Sequence, residues 1–163
     1  MQRKTLADAE CPIARSLERV GEWWSILIMR DALHGLRRFD EFTRSLDIAP
    51  NMLTRRLSSL VEDGLLERRA YSERPLRHEY VPTAKGEDFG GVLLALVAWG
   101  NRHYAPEGES VQIVERATGR RVEPVMADMS DGRLLSLGEC TVRPGPAASA
   151  SMHERLGGTP DHS

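Results

Sequence analysis

The stretch from residue 39 to residue 83, FDEFTRSLDIAPNMLTRRLSSLVEDGLLERRAYSERPLRHEYVPT, decides the fold. Its beginning, Phe39–Leu46, is a short amphipathic segment that leads through a tight connection, Asp47–Ala49, to a second segment, Pro50–Asp63. Both segments repeat apolar residues at the spacing of an α-helix, and Gly64 is a typical stop signal for the second. The apolar stripe predicted for the second helix consists of Leu53, Leu57, Leu60 and Val61.

Two strand-like runs, Leu65–Tyr71 and Arg77–Val81, follow the second helix. The residues that connect them, 72–76, include Arg74 and Pro75. Two helices joined by a short turn and followed by a basic hairpin are typical of a winged helix-turn-helix, which places side chains in a DNA groove. The predicted fold class is therefore mainly α with small β (α+β).

The polar face of the second helix is predicted to read DNA. It combines hydroxyl, amide and guanidinium groups, which are the types that bond base edges and phosphates in the major groove. The basic hairpin suits a rigid loop along the minor groove or the backbone. The same residues are also compatible with an ordinary solvated surface, but the turn and the hairpin favour DNA. The predicted contacts are Asn51, Met52, Thr54, Arg55 and Arg56 in the helix and Arg74 and Arg77 in the wing.

Helices are predicted on both sides of this unit. Two helices precede it. One begins near Pro12, a favoured first-turn residue, and the next, Trp23–Leu33, is apolar around most of its circumference, as a central core helix is. Thr83 is expected to cap a long helix that runs to about Tyr104. This last helix is apolar nearly all round, so it needs a second burial partner, and a homodimer is the simplest one. The residues expected to be buried in the first helix are Ile13, Leu17 and Val20.

The composition and the hydrophobic pattern of the sequence change after Tyr104. Residues 11–105 are predicted to form the winged helix-turn-helix domain, residues 106–143 a small β appendage, and residues 144–163, rich in Gly, Pro, Ala and Ser, a disordered tail. The appendage is expected to contain two hairpins, because turn signals separate its short β-like runs. These runs are Val111–Val114, Val122–Met126 and Leu134–Leu137.

Composition restricts the function classes. The 163 residues are 40% hydrophobic and 28% charged, as in an ordinary globule, and no apolar run is long enough to span a bilayer. The net charge of −2 disfavours nucleic acid, yet Arg68, Arg69, Arg74 and Arg77 lie together with Glu73 as the single acid between them. No leader is recognisable, and two distant cysteines form no disulfide framework, so we expect a cytoplasmic protein. No enzyme signature, cofactor motif or metal-ligand spacing is found.

The chain resembles the HxlR family of bacterial winged-helix transcription regulators. The resemblance implies a homodimer that binds an inverted-repeat operator through the helix that begins at Pro50. Ala49 departs from the family pattern, where a capping Ser is frequent, and the residues after Tyr104 exceed the usual family length. The matching segments are Cys11–Ile13, Leu53–Leu57, Glu62–Arg68, Pro75–Tyr80 and Thr83–Gly86.

Cys11 is a candidate redox sensor. It lies just ahead of a predicted helix start, a position that lowers a thiol pKa and makes the thiolate reactive. The resemblance also implies this role, because several family members sense oxidants or electrophiles with a cysteine here. The alternative is a small, inert core residue. Cys140 is a candidate resolving partner.

Two other functions remain open from the sequence. One is a winged helix used only as a protein-interaction module, with basic residues that merely solubilise it. The other is a ligand-responsive repressor with an effector, of unknown identity, bound between the last helix and the β appendage.

Overall fold

The computed structural model describes residues 6–157 of the chain. Within that range no helix is long and apolar enough to cross a membrane. The elements are α1 (Pro12–Val20), α2 (Trp23–Leu33), α3 (Phe39–Leu46), α4 (Pro50–Glu62), β1 (Leu66–Glu73), β2 (Leu76–Pro82), α5 (Ala84–Asp88), α6 (Gly90–Tyr104), a 3₁₀ turn (Leu137–Glu139) and α7 (Ala150–Gly157).

Helix α2 is the centre of the fold, as its continuous apolar sequence predicts. It packs against α1, α3, α4, α6 and β2. Ile28, Met29 and Ala32 are completely buried. At one end, Trp23 and Trp24 stack with ring centroids 4.0 Å apart. Most of the neighbouring helices and the second strand of the hairpin are therefore positioned against this single helix.

The helix-turn-helix is built around α2. Phe42 of α3 is fully buried, and Ile48, in the turn, is nearly so. Asp47 adopts a left-handed conformation with φ 48°, which a short polar residue tolerates and which turns the chain sharply into α4. The predicted stripe of α4 faces inward: three leucines are completely buried and Val61 packs against them. These leucines are Leu53, Leu57 and Leu60.

The wing is longer and tighter than predicted. Strands β1 and β2 pair antiparallel from Leu66 opposite Pro82 to Glu73 opposite Leu76, so only Arg74 and Pro75 remain in the turn. The predicted five-residue loop was too long, because Ser72, Glu73 and Leu76 continue the ladder. The Ser72 hydroxyl donates to the Pro75 carbonyl at 2.9 Å and closes the tip.

The residues just before α3, which the sequence did not connect to the wing, lie beside β2. Arg38 forms an isolated antiparallel bridge with Glu79, and the Tyr80 amide donates to the Arg37 carbonyl at 2.8 Å. One Glu41 carboxylate oxygen accepts from the Arg37 and Arg38 amides, each at 2.8 Å. These backbone hydrogen bonds hold the pKa of Glu41 below its ordinary value. Glu41 therefore fastens the start of α3 to the edge of the wing.

The predicted burial of α1 is wrong for two of three residues. Val20 is buried, but Ile13 is 71% exposed and Leu17 is 50% exposed. The N-terminal part of α1 extends past the edge of the core that a single chain provides. Its apolar stripe therefore faces outward.

The predicted long C-terminal helix is two helices, α5 and α6, with Phe89 between them. Thr83 caps α5 as expected, since its hydroxyl accepts from the Gly86 amide at 3.2 Å. A Cβ at Gly86 would lie 2.1 Å from the Leu65 carbonyl oxygen, so this close crossing requires glycine. Gly90 and Gly91 then disfavour one uninterrupted helix, because glycine is a poor helix former.

Between α6 and the 3₁₀ turn, the chain forms turns closed by isolated bridges rather than extended strands. Val114 pairs with Arg121 and Ala127 with Leu134, each as a single isolated bridge. The predicted strand run Leu134–Leu137 instead ends in a 3₁₀ turn that begins at Leu137.

The tail predicted to be disordered contains α7, so this prediction is wrong for residues 150–157. The Glu10 carboxylate accepts from the Ser149 hydroxyl at 2.6 Å and from its amide, and the same hydroxyl accepts from the Met152 amide at 3.2 Å. Met152 is buried. A helix cap and one distant carboxylate thus order a segment whose composition suggests disorder. The remainder of the predicted tail, 158–163, lies outside the described residues.

We expect Glu41→Ala to destabilise the protein by about 1 kcal/mol, the usual effect of losing a helix cap, because two amides lose their acceptor. The folded-state pKa of Glu41 is lowered, so its contribution is present above the unfolded pKa and disappears as pH falls through the folded pKa. Denaturant melts at neutral and acidic pH measure this. Glu107→Ala, at an exposed loop carboxylate, is the control. An equal loss in both variants at every pH would contradict the role of Glu41.

Candidate nucleic-acid interface

The outer face of α4 presents part of the predicted DNA-reading set. Asn51, Thr54 and Arg55 are exposed on the side opposite the buried leucines, and Ser58 continues the same face one turn later. Within the described part of the chain, the Arg55 guanidinium has no hydrogen-bond or ion-pair partner. It is therefore available to a ligand.

The start of α4 is open to an anion. Ala49, at the N-cap, supplies no side-chain cap, and the first turn has no acidic residue. The Asn51 side-chain oxygen accepts from the Met52 amide at 2.8 Å, which leaves the Asn51 NH₂ group to donate outward. Thr54 donates to the Pro50 carbonyl at 2.9 Å, and its hydroxyl oxygen is still able to accept. Helix N-termini attract phosphate because their amides and dipole are positive.

Met52 and Arg56 do not lie on this open face. Met52 is half-buried and packs against the core. The Arg56 side chain is only 19% exposed and lies 3.7 Å from the Glu22 carboxylate, next to α2. Its buried Nε has no hydrogen-bond partner among the described residues. Arg56 thus belongs to the contact between α4 and α2 as much as to the surface.

The wing places Arg74 and Arg77 in solvent. Arg74 is in the turn and Arg77 stands opposite Ser72 beside it. Neither side chain has a partner in the portion of the chain that the structure describes. The other two wing arginines are engaged: Arg69 pairs with Glu67 at 2.8 Å, and Arg68 contacts His78 at 3.0 Å. The hydrogen bond and charge of Arg69 lower the pKa of Glu67.

Arg38 is a cation that the sequence reading missed. It is exposed, and its guanidinium lies 4.8 Å from the centroid of the Tyr71 ring. Because Arg38 pairs with β2 at Glu79, it adds positive charge along the same hairpin. The available signal was the pair of adjacent arginines, Arg37 and Arg38, just before α3.

Cys11 is the N-cap residue of α1 and is half-buried. Its sulfur makes no capping hydrogen bond of ordinary geometry. The Ala14 and Ile13 amides nevertheless face the sulfur, and they lower the pKa of the thiol, with a smaller contribution from Arg155 on α7. The Arg155 guanidinium also contacts the Met152 sulfur at 2.9 Å. Cys140, the predicted resolving partner, is exposed in the C-terminal segment, which we define as residues 105–157.

An exposed apolar stripe runs along α6. Val92, Leu96 and Trp99 recur at helical spacing and are about half exposed. The Tyr104 ring packs edge-on against Trp99 with centroids 5.0 Å apart. Leu94, which is equally exposed, lies on another side of the helix.

Comparison with known proteins explains this arrangement. Residues 19–108 match the HxlR-like helix-turn-helix family. The chain belongs to this family. The match covers the winged helix-turn-helix and α6, and it ends where the C-terminal segment begins. Members of this family are transcriptional regulators, which agrees with the HTH architecture and the outward-facing α4.

Individual relatives agree. The chain is 36% identical over 141 residues to Rv3095 of Mycobacterium tuberculosis, an uncharacterized HTH-type transcriptional regulator, covering 86% of this chain and 89% of that one. It is 74% identical to the solved structure of PA1374 of Pseudomonas aeruginosa, proposed to be a transcription factor, with a TM-score of 0.65 and coverage of 90% and 100%. It is also 30% identical to the redox regulator HypR in its reduced form, with a TM-score of 0.54 and coverage of 60% and 99%.

Proposed function

We propose that this HxlR-family protein is a sequence-specific, cytoplasmic DNA-binding regulator that acts as a homodimer on an inverted-repeat operator. The observation that carries the proposal is the free outer face of α4. Asn51 and Arg55 present unused donors there and Thr54 presents a hydroxyl acceptor, while the opposite face is fixed in the core. The roles of Met52 and Arg56 are proposed as supporting ones, at the edge of this face.

Electrostatics support DNA as the partner despite the net charge of −2. Arg55 on the reading helix and Arg74 and Arg77 on the wing have no neutralising carboxylate within the described residues. Uncompensated arginines at the surface favour phosphate and base edges. A winged helix used only for protein interaction has no need for them, so a steep salt dependence of DNA binding separates the two functions.

We expect Arg55→Ala to weaken operator binding by about 1–3 kcal/mol, the typical value of one base or phosphate contact, without lowering the melting temperature. Operator fragments selected by the parent protein are the probe, and binding is measured across a salt series. Arg116→Ala removes the same charge from an exposed position in the C-terminal segment and serves as the control. Equal binding by the parent and Arg55→Ala would remove Arg55 from the interface.

The homodimer is proposed from the two apolar surfaces that the single chain leaves open. One is Ile13 and Leu17 on α1, and the other is the stripe on α6. Both helices pack on α2, so covering them with a second copy also fixes the distance between the two α4 helices. An inverted-repeat operator requires such a fixed spacing, with half-sites about one DNA turn apart.

We expect Leu96→Glu to give monomers or insoluble protein, because the dimer would bury an unpaired charge. Leu94→Glu is a matched control, since Leu94 is 44% exposed and Leu96 is 43% exposed on different sides of α6. Light scattering at micromolar concentration reports the mass. A monomeric parent protein, or dimers that survive Leu96→Glu, would contradict this interface.

We also propose that Cys11 is a redox switch for DNA binding. Its lowered pKa favours the thiolate, and the protein is similar to the redox regulator HypR. With peroxide, the thiolate sulfur attacks one oxygen, the O–O bond breaks, and sulfenic acid and hydroxide result. The thiol lies at the start of α1, next to the proposed dimer surface, so its oxidation would alter the spacing of the α4 helices.

We expect hydrogen peroxide to lower DNA affinity in the parent protein and to leave Cys11→Ser unaffected. Thiol alkylation should have a midpoint below the ordinary thiol pKa, and Arg155→Gln should raise it, because Arg155 favours the thiolate. Cys140→Ser is the control for the second cysteine. Equal loss of binding in the parent and Cys11→Ser would assign the effect to another residue.

A ligand-responsive form of this regulator is favoured by one further observation. A cavity lies between α6 and the segment that follows it. This is the location that the sequence analysis considered for an effector.

A further inference from the structure

The cavity between α6 and the C-terminal segment has a volume of about 190 Å³. On α6 it is bordered by Ala98, Asn101 and Arg102, which are neighbours on one side of the helix. The opposite wall comes from residues 109–124. The Asn101 side chain donates to the Val111 carbonyl at 2.9 Å and ties the two walls together. Both walls of the cavity are therefore held in place by a hydrogen bond within the chain.

The walls combine an apolar patch with arginine. Arg121 contacts the carboxylates of Glu109 at 2.7 Å and Glu123 at 3.4 Å, and both contacts use the same guanidinium nitrogen, Nη2. These carboxylates are therefore already partnered, and other Arg121 N–H groups are not used by them. Arg102, in contrast, has no partner among residues 6–157. The apolar patch consists of Ala98, Ile113, Val122 and Pro124.

We propose that this cavity binds a small organic acid, with its carboxylate on Arg102 and its compact apolar body against the patch. A guanidinium binds a carboxylate through two parallel N–H bonds, and the apolar side chains beside it supply the remaining affinity. The proposal identifies the chemical class of effector for a ligand-responsive regulator. Binding of the acid does not depend on the proposed DNA-binding function, and only the effect of the acid on DNA affinity rests on that function.

The position of the cavity gives a route to regulation. Ala98 and Arg102 lie on one side of α6, whereas Leu96 of the proposed dimer stripe lies on the opposite side and Trp99 lies between them, three residues before Arg102. A bound acid contacts α6 and the C-terminal segment together. If the bound acid shifts α6, the proposed dimer surface on α6 shifts with it. The acid changes DNA affinity only if it binds one arrangement of α6 more tightly than the other.

The test is equilibrium binding to the full chain without DNA. Phenylacetate, benzoate and isovalerate are the acids, and 2-phenylethanol and phenethylamine are the neutral and cationic counterparts of phenylacetate. We expect saturable binding of at least one acid at millimolar concentration or below, and weaker binding of the two counterparts by about ten-fold or more. Arg102→Gln should cause a loss of the same size, while Arg116→Gln, outside the cavity, should bind as the parent does. Ala98→Leu fills the patch and should also reduce binding.

The proposal is overturned if none of the three acids binds saturably, if phenethylamine binds as well as phenylacetate, or if Arg116→Gln loses as much affinity as Arg102→Gln. Melting curves of each variant, without ligand, show that the fold is retained. Operator binding is measured separately, so a failure of DNA recognition and a failure of acid binding are distinguished. An acid that binds without changing operator affinity would overturn the regulatory route.

Discussion

The burial of three α4 leucines against the core is the constraint on which the proposed DNA-reading surface depends. Leu53, Leu57 and Leu60 are completely buried, and each contributes about 1.5–3 kcal/mol of hydrophobic stabilisation. Rotation of α4 by two residues, about 200°, would expose these side chains and turn Arg55 toward the core, where an unpaired charge is costly. The hydrophobic core therefore determines which side chains α4 presents to solvent. The surface chemistry follows from the packing.

The wing is held to α4 by contacts at its far end. The Thr83 hydroxyl donates to the Gly64 carbonyl at 2.6 Å, and Lys85 donates to the Asp63 carbonyl at 2.7 Å. These side chains satisfy carbonyls at the end of α4, which a helix leaves without internal partners. Because Thr83 also caps α5, one residue joins α4, the hairpin and α5. The placement of Arg74 and Arg77 relative to α4 is thus set by the base of the hairpin.

Local patterns predicted the elements whose partners are close in sequence. The period of α4 and the hairpin of the wing are local, so both were correctly expected, although the turn of the hairpin is shorter than predicted. Ile13 and Leu17 have the same helical spacing. This spacing does not indicate whether the apolar face of α1 packs against the same chain or against another molecule. Helix α7 depends on Glu10, which is 139 residues from Ser149, and composition carries no trace of that contact. Arg56 lies at the edge of the polar face, where the helical period alone does not decide between solvent and Glu22.

Helix α6 shows why the winged unit and the C-terminal segment have to be considered together. It is strongly apolar, yet none of its residues is fully buried. Leu93 packs against the core around α2, and Ala98 faces the cavity beneath the C-terminal segment. A third stripe, through Leu96 and Trp99, remains open. A helix with apolar surface on three sides is stable only if each side is covered. The core and the C-terminal segment cover two of them, and the proposed second copy of the chain would cover the third.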